Sequence, residues 1–200
     1  MSVETEAFWA GEFGNEYLER NQVDWRKRIP FWQMVIQYAS PASVLEVGCN
    51  AGQNLRAINA VDPDIELTGC DVNQAALIEA RQALPWCDIE DFSAKEIGAF
   101  RDLPFDVVFT AGVLIHIPPE EIKAVMQAIA DAADKCVVAI EYDHPTEQEI
   151  NYRGHAGRLW KRPYDLMYAT LGLRTVWKTS LGPEQGFGEG CTAWVMEKRS

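Results

Sequence analysis

The chain has 200 residues, 48% of them apolar, and a formal charge of −12 from 30 acids against 18 bases; that length and composition suit one globular domain over residues 1–200. The acidity excludes nucleic acid and anionic membrane as default partners, because both select broad basic surfaces. No apolar run resembles a signal peptide or approaches the roughly 20 residues of a membrane span. Cys49, Cys70, Cys87, Cys136 and Cys191 lie far apart without a C-x-x-C pair, so reduced thiols, a cytoplasmic setting and no metal site are expected.

In chain order, residues 1–30 carry Phe13, Tyr17 and Trp25 at helical spacing and predict a helical cap or lid ahead of a core at 41–200. SVLEVG (43–48) reads as a short buried strand stopped by glycine, and GQNLRAINAV (52–61) as a helix. IELTGCDV (65–72) is a second strand, followed by a helix at 73–84 with Asn73 as its N-cap. WCDIEDF (86–92) is a third, weaker strand; FDVVFTAGV (105–113) is a fourth. PPEEIKAVMQAIADAA (118–133) places Pro119 and two glutamates in a first helical turn. KCVVAIEY (135–142) is a fifth strand, and PYDLMYATLG (163–172) a helix that stops at Gly172. LRTVWKTSL (173–181) and CTAWVMEKR (191–199) are two last strands. Apolar strands alternating with helices predict a parallel sheet covered on both faces. The last two strands are joined only by GPEQGFGEG, too short for a crossover helix, so they form an antiparallel pair.

The first strand–glycine–helix turn is the strongest local signal. In open parallel sheets ligands bind at the carboxyl ends of the strands. The spacing Gly48-x-x-x-Gly52 is not the G-x-G-x-x-G that seats a pyrophosphate, and Glu46 just ahead of the turn repels phosphate. Asp71, ending the second strand, is placed to accept hydrogen bonds from both hydroxyls of a ribose. Asp91 and Phe92, ending the third, suit an adenine amino group and ring. Acids at successive strand tips without a phosphate cradle match S-adenosylmethionine, which joins a ribose and adenine to an amino acid and a sulfonium cation.

The segments VLEVGCNAGQNL, GCDVN and FDVVFTAGVLIHIPP resemble the successive motifs of class I S-adenosylmethionine-dependent methyltransferases. More narrowly, FWAGEFGNEYLERN, GVLIHI and EYDHPTEQEINYRGHAGRLWKR resemble the methylases associated with pseudaminic acid biosynthesis, over Phe8 to Trp194. The resemblance implies an α/β, Rossmann-like sheet of seven strands, mostly parallel with the last antiparallel, and helices on both faces. It implies that Glu46, Gly48, Asn50, Gly52 and Asn54 surround the methionine part of the cofactor. Asp71 and Val72 hold its ribose and adenine, Asp91 and Phe92 border the adenine, and Thr110, Ala111 and Gly112 line the floor near the sulfonium.

A sulfonium leaving group is already activated, so positioning the nucleophile carries most of the catalysis and no triad is expected; a base is needed only for a protonated nucleophile. Acceptor candidates above the fourth and fifth strands are His116, Glu141, Tyr142, Asp143 and His144, of which Tyr142 is assigned to orient the acceptor and His116 to order the loop beside it. INYRGHAGRLWKRPY (150–164) is a basic island in an acidic chain. Arginine donates two parallel hydrogen bonds to an anion. Tyr152, Arg153 and His155 are therefore expected to form the acceptor loop, with Tyr152 and His155 joining Tyr142 as catalytic candidates, His155 as a proton acceptor near neutral pH, and Arg158 a further contact, while Arg158, Lys161 and Arg162 otherwise face water. Trp9, Phe13 and Tyr17 are expected to close over the cofactor, Tyr17 offering its hydroxyl to the cofactor carboxylate.

The resulting expectation is a monomeric or homodimeric methyltransferase for an oxygen or nitrogen of a small, polar, anionic, sugar-like acceptor. The alternatives are N-methylation of an amine or amino-acid-like substrate, a nicotinamide-dependent oxidoreductase, which the missing glycine fingerprint and Glu46 oppose, and a non-catalytic cofactor-binding module.

Overall fold

The structure, a computed structural model, describes residues 3–100 and 104–198. Residues 1 and 2 of the expected cap and Arg199 of the expected last strand lie outside them. Two helices open the chain, α1 (Val3–Ala10) and α2 (Glu12–Arg20), and a 3-10 turn at Trp25–Arg28 leads into α3 (Ile29–Ala39). The core alternates β1 (Ser43–Val47), α4 (Gln53–Val61), β2 (Glu66–Asp71), α5 (Gln74–Ala83), β3 (Asp88–Asp91) and β4 (Phe105–Ala111). After a 3-10 turn at Leu114–His116 come α6 (Pro119–Ala132) and β5 (Ala133–Tyr142). The two-residue strands β6 (Gln148–Glu149) and β7 (Trp160–Lys161) precede α7 (Tyr164–Thr170), β8 (Leu173–Leu181) and β9 (Cys191–Lys198).

Seven strands form one sheet in the order β3-β2-β1-β4-β5-β9-β8. Only β9 runs antiparallel to its neighbours, as the short 182–190 link requires. Strand alternation sorts the apolar residues onto two faces. Leu45, Val108, Val137 and Trp194 join Ile122, Val125, Tyr164 and Tyr168 from α6 and α7. Val44, Val107, Val138 and Val195 join Trp32, Leu55 and Leu77 from α3, α4 and α5. Asn73 caps α5 as expected, its Oδ1 accepting from the Ala76 N–H at 2.9 Å.

Chain order reverses between β1 and β4, the position where the strand ends part and leave a crevice. The N-terminal helices are fastened over it. Asn73 Nδ2 donates to the Trp9 carbonyl and to Asn15 Oδ1, each at 3.0 Å, and Ser93 Oγ donates to Glu6 Oε1 at 2.6 Å.

The basic island differs from its expected form. It is a hairpin: β6 pairs with β7, and Tyr152 and His155 exchange backbone bonds of 2.9 Å at the tip. The two tip residues, Arg153 and Gly154, have φ of 52° and 88°, the two positive values of a type I′ turn. Arg162 does not face water. It is fully buried, donating to the Leu114 and Ile117 carbonyls at 2.9 and 2.8 Å and to Glu147 Oε2 at 2.6 Å. Arg158 is half-buried, with its guanidinium 4.9 Å from the Phe8 ring and bonded to Thr5 Oγ1. Lys161 is also half-buried, its ammonium 5.6 Å from the Tyr142 ring.

Candidate active site

A cavity of about 420 Å³ opens at the carboxyl ends of β1, β2, β4 and β5 under the N-terminal helices. The β1–α4 loop forms its floor. Gly48 and Cys49 donate their N–H groups to the Cys70 carbonyl, which curls the loop back over β2. Gly48 has φ 74°, and a Cβ there would lie 2.4 Å from Val113 Cγ2; only glycine lets the loop pass so close to the end of β4. Asn50, at φ 48°, is held by its N–H bond of 2.8 Å to Asp71 Oδ2. Asp71 Oδ1 accepts from the Asn73 N–H at 2.9 Å. Burial raises the Asp71 carboxyl above its ordinary range, and these backbone donors oppose the rise.

Beneath the loop lies a buried polar chain that begins with a residue sequence reasoning missed. Arg28, 8% exposed, donates through Nε to the Gly186 carbonyl and through a terminal nitrogen to Asn54 Oδ1, both at 2.9 Å. The Trp32 indole donates to the same oxygen, and Asn54 Nδ2 donates to Glu46 Oε1 at 2.6 Å. Among the described residues Glu46 Oε2 is buried with no partner. Burial pushes the Glu46 carboxyl up to about 8, against the pull of Asn54 and Arg28. The folded protein therefore keeps a proton on Glu46 between pH 4.5 and about 8 that the unfolded chain has lost. Stability falls with rising pH across that window. Relative to Glu46→Gln, which never ionises, the ligand-free wild type should lose up to about 1 kcal/mol per pH unit there, as urea unfolding at stepped pH will show.

The far end of the cavity is aromatic. Trp9 is its centre, with ring-centroid distances of 5.4 Å to Phe13, 5.5 Å to Tyr17, 4.4 Å to His116 and 6.3 Å to Tyr152. Tyr17, Tyr142, Tyr152 and Arg153 line the wall here, and Phe187 and Gly188 from the β8–β9 link, with Cys191 at the start of β9, complete it. Burial raises the Tyr17 and Tyr142 hydroxyls, so both stay protonated donors at neutral pH. Glu141 is fully buried under the turn after β4, accepting the N–H groups of Val113, Leu114 and Ile115. Burial lifts its carboxyl to about 7 even though those bonds pull it down.

Most residues expected at the site meet in this cavity. Trp9, Tyr17, Glu46, Gly48, Asn50, Asn54, Asp71, Val72, Phe92, Ala111, Gly112, His116, Tyr142, Tyr152 and Arg153 all line it. The others stand outside it for identifiable reasons. Gly52 is set against Leu84, whose Cδ1 would lie 2.2 Å from a Cβ, so its role is helix packing. Asp91 is exposed and bonded to the Gln74 side chain. Thr110 is buried against Glu141. Phe13 stacks on Phe8 and meets the edge of His155, so these two brace the outside of the aromatic cluster. Arg158 contributes to the site through its carbonyl, which lies 2.6 Å from His116 Nδ1. The cues for Arg28 and Phe187 were weak. Arg28 lies in the short charged segment WRKR with no pattern that names its partners, and Phe187 sits in a glycine-rich link.

Comparison with known proteins fits this geometry. Residues 45–135 match the family model described as a methyltransferase domain. The crevice, the strand order and the lone antiparallel strand decide the fold class. It is the class I methyltransferase fold. A trans-aconitate 2-methyltransferase of Methylobacterium nodulans is 29% identical over 83 residues, 42% of this chain and 31% of the relative. The chain thus spans about a third of the length of that curated relative. The 1,6-didemethyltoxoflavin-N1-methyltransferase of Burkholderia thailandensis, solved with S-adenosylhomocysteine, superposes with a TM-score of 0.75 at 13% identity, covering 100% of this chain and 88% of that one. A sugar N-methyltransferase from Streptoalloteichus gives a TM-score of 0.69 at 14% identity, over 96% and 94% of the two chains. Among the described residues no helix is long and apolar enough to cross a membrane.

Proposed function

We propose that the protein is an S-adenosylmethionine-dependent methyltransferase that methylates an oxygen or nitrogen of a small, anionic, sugar-like acceptor, as its resemblance to the pseudaminic acid-associated methylases implies. The residues present fit the methyl donor. Gly48 lets the loop lie against Val113 so that bare backbone lines the cavity, and Glu46 presents a buried oxygen without a partner among the described residues, suited to an ammonium group. Asp71 has spare lone pairs on both oxygens for a ribose, Phe92 is an aromatic lining residue suited to adenine, and Arg28 and Tyr17 line the same cavity as donors suited to a carboxylate. When bound, the donor supplies an activated methyl group on a sulfonium. The chain's own task is to align the acceptor and exclude water, which the Trp9, Tyr17 and Tyr152 rings do by roofing the cavity.

The observation that carries the acceptor's charge is Arg153. It lines the cavity mouth, and among the described residues its guanidinium has no hydrogen bond or ion pair. It sits at a left-handed φ of 52°, a conformation that costs a non-glycine residue roughly 1 kcal/mol. A cation held there without an internal partner is suited to an external anion. The curated relative's name, trans-aconitate 2-methyltransferase, also specifies an anionic acceptor. Transfer of labelled methyl groups from S-adenosylmethionine to a panel of sugar acids, with neutral sugars as controls, tests the reading. Arg153→Ala should raise the acceptor KM by about tenfold or more, the equivalent of one charge-assisted hydrogen bond, and leave S-adenosylhomocysteine affinity unchanged. An unchanged KM would make the hairpin a scaffold.

A further inference from the structure

His116 has a fixed tautomer and a free face. It ends the 3-10 turn after β4, is 7% exposed and lines the cavity. Its Nδ1 lies 2.6 Å from the Arg158 carbonyl oxygen. A carbonyl only accepts, so Nδ1 carries the hydrogen, and the neutral ring leaves Nε2 as a lone pair. Among the described residues no group donates to Nε2. Trp9 and Tyr152, with ring centroids 4.4 and 5.1 Å away, prevent the imidazole from turning. A basic nitrogen on a ring that lines the cavity, oriented through its second nitrogen by a third group, is the arrangement of a general base. The third group here is the backbone of the basic island.

We infer that His116 is the general base of this enzyme and that the acceptor atom is a hydroxyl oxygen, so that the product is a methyl ether. This rests on the methyltransferase reading above. A carboxylate acceptor arrives already deprotonated and needs no base. An ammonium acceptor needs a strong one, and burial lowers this imidazole to about 4. A hydroxyl fits between them, because its proton becomes strongly acidic as oxygen forms its new bond to carbon. His116 Nε2 takes that proton, and the electron pair of the O–H bond stays on oxygen. Oxygen bonds to the methyl carbon, and the pair from the broken carbon–sulfur bond remains on sulfur, which becomes neutral. The imidazolium then returns its proton to water. Arg153 holds the anionic part of the same molecule.

The test uses the full chain, isotope-labelled S-adenosylmethionine and a small-molecule cell extract as acceptor source. Carbon NMR of the labelled methyl group, with mild base treatment, separates ether, amine and ester. The expected product is a base-stable ether. His116→Asn keeps an amide N–H for the Arg158 carbonyl and has no base; it should slow transfer about 100-fold or more with S-adenosylhomocysteine affinity unchanged. His116→Gly should be slow and be accelerated by added imidazole. In the free protein, nitrogen NMR should find the His116 proton on Nδ1. A methyl ester or methylamine product, an undiminished rate in His116→Asn, or a proton on Nε2 overturns the assignment while the methyltransferase reading stands. No labelled product from any fraction overturns that reading and the assignment with it.

Discussion

Asp71→Ala should weaken S-adenosylhomocysteine binding by about 100-fold or more. Two hydrogen bonds from ribose hydroxyls to a carboxylate are lost, each worth about 1.5–3 kcal/mol where one partner is charged. A second loss adds to the first. Asp71 also receives the Asn50 and Asn73 N–H groups, so alanine releases Asn50 from its left-handed conformation, and the loop that shapes the methionine end is freed. Asp71→Asn reduces both effects, since its single carbonyl oxygen can accept only one of the two backbone N–H groups. It preserves the side-chain shape and one acceptor oxygen, and should lose about tenfold. Calorimetry with S-adenosylhomocysteine reads both variants, and intact affinity in Asp71→Ala would place the nucleoside away from the tip of β2.

The fold was legible because the core strands other than β3 are short apolar runs bounded by turn residues, and because Gly48, Asp71 and Asn73 mark strand ends by chemistry as well as position. Those same residues line the end of the crevice where the cofactor was expected. The basic island was read less well. Arg158, Lys161 and Arg162 of the basic island looked like solvated cations because sequence gives charge but not partners. Arg162 is turned inward by two carbonyls of a turn 45 and 48 residues earlier, and no local pattern reports so distant a partner. Arg28 was hidden for the same reason; its partners, Asn54 and Gly186, come from α4 and the β8–β9 link. Asp91 departs from its expected place in the opposite direction. A carboxylate at a strand tip looked functional, yet β3 is an edge strand of the sheet and its end faces water.

Arg162→Met should lower the free energy of unfolding by about 3–5 kcal/mol, the cost of breaking a buried charge network. Methionine fills much of the space, so the loss isolates hydrogen bonding from packing. The Leu114 and Ile117 carbonyls each lose a donor in a dry interior, at roughly 1–3 kcal/mol apiece. The ion pair with Glu147 is the minor part, because Glu147 is 43% exposed; Glu147→Gln should cost no more than about 1 kcal/mol. Arg162→Lys should recover only part of the loss, since one ammonium cannot reproduce the fork that spans two carbonyls and a carboxylate. Urea midpoints order the three variants. The Arg162 fork ties the island to both ends of the turn that carries His116, and His116 in turn bonds the island's backbone at Arg158. Loosening it should therefore raise the acceptor KM even where the variant remains folded. A midpoint for Arg162→Met equal to that of Glu147→Gln would mean that the two carbonyls find water instead, and that the turn is not held from below.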